Sequence, residues 1–186
     1  QVLSTILTSQ GSYVTDEHIL EVLKESRNRI AAMASIYERL YSTTNLSDIR
    51  FSSYVRDLVE SLVNAYELLD TSVELVFSLD EVFLSLNEAI PCGIILNELI
   101  SNSLKYAFKG RKHGKIEITL ISNLEKISLS LAHDGVGISK EINVEKTDTL
   151  GLQLVSTLVE QTEGTLILER ENGTKFIISF DTKNEV

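Results

Sequence analysis

The chain has 186 residues, 43% of them hydrophobic, and its 17 basic and 27 acidic side chains leave a formal charge of −10. That length and apolar fraction suffice for one large or two small packed domains and exclude wholesale disorder. The negative field repels nucleic acid and anionic membrane, so neither is expected as a main partner.

Cys92 is the single cysteine, which rules out a disulfide framework within the chain and suits a reducing compartment. No apolar run approaches a membrane span, and the start lacks a signal pattern. Gln1 opens directly into apolar periodicity (Val2, Leu3, Ile6, Leu7), which reads as the inside of a helix and a chain cut from something longer. Residues 1–10 are expected to finish that helix, with a turn at Gly11-Ser12 and Thr15 or Asp16 capping a second helix. There Ile19, Leu23, Ser26, Ile30, Met33, Tyr37 and Leu40 step by four and three, a heptad-type seam. A helical hairpin over 1–44 follows, and its exposed seam is expected to pair with a second copy as a four-helix bundle.

The polar loop Ser42-Thr43-Thr44-Asn45 marks a boundary, and residues 45–186 read as a second domain. The spacing predicts a helix over 51–69, a strand over 73–79 and a short partner strand at Val82–Leu86. A helix is predicted over 87–108, with Pro91 near its start and Gly110 as its stop. Alternation at 116–120 and 127–131 predicts a hairpin with one face buried. Residues 139–149 are polar, without period, and are expected to be mobile. A helix over about 151–163 and strands at 166–169 and 175–180 complete the chain. Strand pairs alternating with single helices give an α+β class, a two-layer sandwich with a mixed sheet and helices on one face.

Three stretches carry candidate chemistry. On the central helix Glu98, Asn102 and Lys105 fall at i, i+4 and i+7, one polar stripe on an otherwise apolar element. A carboxamide oxygen is a hard ligand for Mg²⁺, an ammonium faces phosphate, and a carboxylate can orient or deprotonate an attacking group. A surface helix meeting water would look the same. After a predicted strand, Asp134-Gly135-Val136-Gly137 allows a tight turn and close approach of backbone to a ligand. Thr149-Leu150-Gly151-Leu152 then delivers a helix N-terminus, where free N–H groups suit an anion. Gly173-Thr174-Lys175-Phe176 reads first as a plain hairpin turn.

In that order the set resembles the ATP-binding domain of sensor histidine kinases, within the wider Bergerat-fold ATPases, over nearly the whole chain. Asn97–Phe108 looks like the family's N box, Gly135-Val136-Gly137 like its first glycine box and Gly151–Val155 like its second. Gln1–Leu7 and Lys24–Ile30 look like the dimerisation hairpin of one subgroup. The resemblance implies ATP and Mg²⁺ as cofactors. Asn102 would ligate the metal, Glu98 would assist transfer, Lys105 would meet phosphate and Tyr106 would line the nucleotide. Gly135, Gly137, Thr149, Gly151 and Leu152 would wrap adenine and phosphates, and Thr174 would help hold the base. It further implies a homodimer, a response regulator receiver domain as partner, and a cytoplasmic location, alone or as part of a larger, membrane-attached sensor.

Two departures stand out. The family's phosphoacceptor histidine would lie roughly two turns before residue 1, and neither His18 nor His113 suits that role. The first glycine box of the family reads Asp-x-Gly-x-Gly, and alignment on Gly135 and Gly137 puts His133 where the aspartate accepts from the adenine amino group. A neutral histidine can accept through one nitrogen, and loss of the charge-assisted bond is expected to weaken binding roughly 10- to 150-fold. Asp134 should point to the opposite face. The competing readings are a non-catalytic dimerisation and signalling module with a decayed pocket, and a serine kinase or conformational ATPase of the same fold. The intact Glu98/Asn102/Lys105 stripe speaks against the first and the heptad seam against the second.

Overall fold

A computed structural model describes residues 49–66, 71–123, 126–139 and 149–181, together with Asp16, Ile19, Leu23, Ser26, Ile30, Ala34 and Glu38. The first predicted helix, its turn, the rest of the seam, the loop at 42–45 and residues 140–148 lie outside the described residues. The chain divides into two compact units, Gln1–Leu46 and Ser47–Val186. In the first, Ile19, Leu23, Ser26, Ile30, Ala34 and Glu38 are helical. The Ile19 N–H donates to Asp16 Oδ1 at 3.3 Å, the bond expected of a carboxylate at a helix start. Ile19 is 47% exposed, while Leu23, Ser26 and Ile30 are half-buried.

The second unit is an α+β sandwich. Its elements are β1 (Ile49–Arg50), α1 (Phe51–Ala65), β2 (Ser72–Leu79), β3 (Phe83–Leu84), α2 (Leu86–Asn102), a π-helical turn (Ser103–Ala107), β4 (His113–Ser122), β5 (Lys126–His133), α3 (Leu150–Gln161), β6 (Thr165–Glu169) and β7 (Thr174–Asp181). The main sheet has the order β2-β4-β5-β7-β6, parallel only between β2 and β4. Alternation decides its buried face. Rows such as Ile118–Leu131–Phe176 and Leu120–Leu129–Ile178 run across three strands and are buried, while Glu117, Thr119, Ser128 and Ser179 on the other side reach solvent.

The helices cover the apolar face. In α1, Phe51, Tyr54, Val55, Leu58 and Val59 are buried at i, i+3, i+4, i+7 and i+8, one stripe of an amphipathic helix. In α2, every residue from Cys92 to Ile100 is buried, as befits a helix enclosed by α1, α3 and the sheet. Gly93 lets α1 come close, because a Cβ there would meet Tyr54 Oη at 2.6 Å. Burial pushes the Cys92 thiol up to about 12, with Glu88 adding to it, so it stays protonated and inert.

Four readings of the sequence need correction. Val82–Leu86 does not pair with the strand before it: Phe83 and Leu84 pair antiparallel with Arg50 and Ile49. Asp80 instead ties β2 to β4, its N–H donating to the Leu120 carbonyl and its Oδ2 accepting from Ser122 N. The parallel pair thus gets the crossover through α2 that it requires. The central helix starts at Leu86, where Ser85 N and Oγ donate to the Glu88 carboxylate at 2.9 and 2.7 Å, a capping-box pairing. Pro91 is therefore inside the helix, and the carbonyl it leaves without an N–H belongs to exposed Asn87. Its last turn is π-helical, so the polar stripe keeps α-helical spacing only as far as Asn102. Finally, α1 ends at Ala65, with 67–69 outside the described residues.

Candidate functional site

The end of α2, the end of β5 and the start of β7 meet. Alternation puts His133 on the helix-facing side of β5, paired in register with Ile116 and Thr174, and 7% exposed. Phe108, the residue after the π turn, sets its ring edge-on to the imidazole with centroids 6.0 Å apart. The chain then turns through Asp134-Gly135-Val136-Gly137, and this turn docks on the helix end: Val136 N–H donates to the Ala107 carbonyl at 2.8 Å. A Cβ at Gly135 would collide with that same carbonyl, and one at Gly137 would come to 2.8 Å from the Gly173 carbonyl. The two glycines are thus needed for close approach between backbones. Thr174 is buried, and its Oγ1 accepts from Ile138 N at 3.1 Å, which holds the far side of the turn. Gly173, at φ +115°, has its place beside the His133 carbonyl.

Asp134 faces away from this centre, as alternation requires. It is exposed; its Oδ1 accepts from Lys115 N at 2.8 Å, its Oδ2 meets Arg111 Nη2 at 3.1 Å, and its carbonyl takes a second Arg111 bond. It pins the basic turn at 109–114 and is not placed to take over from His133. Burial lowers the His133 pKa below its ordinary 6.5; Asp134 opposes that shift and Arg111 adds to it.

On α2, Glu98 is 3% exposed, and Asn102 at its last α-helical position is half-buried. The i, i+4 relation sets them one turn apart on one face. Lys105, half-buried, follows inside the π turn, where the wider turn rotates it away from the line an α-helix would keep. Tyr106 is 56% exposed, with the Lys109 ammonium 5.3 Å from its ring centroid. Thr149 precedes α3 in extended backbone, and Gly151 and Leu152 are buried in the first turn of that helix, which packs on α2. His133, Gly135, Gly137 and Thr174 are therefore gathered around the Ala107–Phe108 end of the central helix. Tyr106 points outward from it.

The donor set suits Mg²⁺ with a phosphate. Among the described residues no group of three or more His, Cys, Asp or Glu could hold a metal. A single half-buried carboxamide oxygen one helical turn from a carboxylate is what an ion sharing its coordination with phosphate and water needs. Sequence reasoning missed Phe108, the Ala107 carbonyl and the Arg111–Asp134–Lys115 clamp. All three are contacts between segments distant in the chain, which leave no local signal.

The family model described as "Histidine kinase-, DNA gyrase B-, and HSP90-like ATPase" matches residues 87–184, and one described as "Histidine kinase" matches residues 1–66. The sensor histidine kinase PdtaS of Mycobacterium tuberculosis is 24% identical over 182 residues, covering 96% of this chain and 36% of PdtaS. The chain thus spans about a third of the length of that relative. Among solved structures, the histidine kinase domain of the Erythrobacter litoralis EL346 blue-light-activated kinase aligns with a TM-score of 0.73 at 18% identity, covering 96% of this chain and 94% of that one. The Acinetobacter baumannii histidine kinase AdeS aligns with a TM-score of 0.62 at 19% identity, covering 97% and 95%.

Proposed function

Because this chain belongs to the sensor histidine kinases and carries their ATPase-type catalytic domain, we propose that it binds Mg·ATP and transfers the γ-phosphoryl group to a histidine outside residues 1–186. From that histidine the group passes to an aspartate on a response regulator receiver domain. The observation that carries this reading is the docking of the glycine turn on the end of α2, through the 2.8 Å bond from Val136 N–H to the Ala107 carbonyl. It joins the base end of the site to the helix bearing Glu98, Asn102 and Lys105.

In this reading His133, Gly135, Gly137 and Thr174 form the base end. Tyr106 lines the nucleotide, and Thr149, Gly151 and Leu152 present the N–H groups of the α3 start to phosphate. Asn102 holds the metal through its carboxamide oxygen. Mg²⁺, when bound, neutralises charge on the phosphate oxygens. Lys105 pairs with phosphate as a point charge. Glu98 orients the attacking imidazole or accepts its proton. The residues on 1–44 form the dimerisation hairpin. The family supports dimer formation, and an exposed Ile19 with Leu23, Ser26 and Ile30 only half-buried along the seam suits a second copy. A cytoplasmic setting fits a nucleotide site of this kind, and among the described residues no helix is long and apolar enough to cross a membrane.

The test is transfer of labelled γ-phosphate from Mg·ATP onto a longer form of the polypeptide that carries the preceding helix. Acid-labile label on that segment, falling about 10²- to 10⁴-fold in Glu98→Gln, is the expected result. No label with either protein would favour a non-catalytic dimerisation module with a decayed pocket.

A further inference from the structure

The glycine turn has little packing of its own. Gly135 and Gly137 carry no side chain, and Val136 between them is 65% exposed. Its path is held by hydrogen bonds at every second residue. Val136 N–H donates to the Ala107 carbonyl on the end of α2, and Ile138 N–H to Thr174 Oγ1 on β7. The remaining anchor lies at Asp134. There the Arg111 guanidinium donates through Nη1 to the Asp134 carbonyl and through Nη2 to its Oδ2, the latter at 3.1 Å. Asp134 N–H donates to the Lys115 carbonyl, and Oδ1 accepts from Lys115 N, so all four polar atoms of Asp134 are bonded. Arg111 is itself held by its backbone. Its N–H donates to the Phe108 carbonyl at 3.0 Å, and its carbonyl accepts from Thr71 Oγ1 at 2.6 Å. Those two bonds survive a change of side chain.

Resting on the nucleotide reading of this site, we propose that Arg111 is a positioning residue for the nucleotide: its guanidinium fixes the Asp134–Gly135 peptide and, through it, the path of the glycine turn over the end of α2. The carbonyl that Arg111 grips and the Gly135 N–H belong to one planar peptide unit, so holding the first orients the second. Glycine follows directly, and its backbone turns with little steric resistance once the grip is lost. The fork matters as well as the charge. Two guanidinium N–H groups at a fixed angle meet two acceptors of one residue, whereas an ammonium is a point charge that does not hold both in one geometry. The Arg111 and Asp134 side chains are 38% and 46% exposed, so the pair contributes little to global stability and acts locally.

The experiment compares the 186-residue chain with Arg111→Ala and Arg111→Lys by two measurements: amide hydrogen exchange without nucleotide, and titration calorimetry with Mg·ATP. In both variants the Val136 amide is expected to exchange about 3- to 10-fold faster, while the amides of the β4–β5 ladder keep their protection. Mg·ATP binding weakens by a similar factor in both. Unchanged exchange at Val136 would overturn the proposal, because the turn would then hold its path without the clamp. Full affinity in Arg111→Lys would overturn it too, by showing that charge alone is felt. Faster exchange throughout the β4–β5 ladder would make Arg111 a general stabilising residue and likewise overturn it. No heat with Mg·ATP from the unaltered chain would overturn the nucleotide reading and the proposal that rests on it; faster exchange at Val136 alone would then place the failure in the nucleotide reading and not in the clamp.

Discussion

His133 combines two constraints that rarely sit on one side chain: it is buried at a strand end, and a backbone amide two residues away decides which of its nitrogens holds the proton. Burial is the larger cause of its lowered pKa, and the consequence for stability has a definite sign. The unfolded chain takes up a proton at its ordinary value of 6.5, while the folded chain stays neutral to lower pH. Between those two values the unfolded state binds more protons, so stability falls as pH is lowered through 6.5 toward the folded value and is unaffected well above it. Thermal unfolding at pH 7.5 and 5.5 checks this. The melting temperature of the unaltered chain drops between the two, and that of His133→Gln drops less; equal drops would contradict it. The position of His133 was legible, because two aligned glycines and period-two alternation place it. Its hydrogen-bonding sense was not, because that depends on the path of the turn after it.

Among the elements, the glycine turn and the π-helical end of α2 act as a pair. A methyl group at Gly135 has nowhere to go, since the Ala107 carbonyl and Cβ fill the space and both belong to packed backbone. Gly135→Ala must push the turn off the helix end and break the bond from Val136 to Ala107. The expected cost is about 1–3 kcal/mol of stability, measured by denaturant unfolding, together with weakened nucleotide binding. A variant as stable as the parent would show that the turn yields freely. What could be read from sequence at this scale follows from burial on one side. Ile116, Ile118 and Leu120 alternate because one face of their strand is covered, and so do Ile127, Leu129 and Leu131. The two-residue strand β1 and its pairing with β3 left no such trace. Two residues are too short for a period, and their partner lies more than thirty positions away. The π turn was equally hidden, because Ser103–Ala107 differ in nothing local from an α-helical turn.

For the molecule as a whole, the net charge of −10 and the basic turn at 109–115 stand in contrast. Among the described residues Lys109, Arg111, Lys112 and Lys115 follow one another in that turn, where Arg111 is paired with Asp134 and Lys115 with Glu117. Spacing alone revealed the Glu98/Asn102 pair, since both lie on a single helix. The gathering of His133, Gly137 and Thr174 at the Ala107–Phe108 end of the same helix is a property of the fold, which draws three chain segments together. The central claim is that this place holds a magnesium–nucleotide complex. Titration calorimetry of the chain with ATP, with Mg²⁺, with the metal chelated and in Asn102→Ala, tests it most directly. The account predicts measurable binding that needs the metal and weakens by at least about tenfold in the variant. No heat with ATP, or binding indifferent to both metal and Asn102, would contradict it.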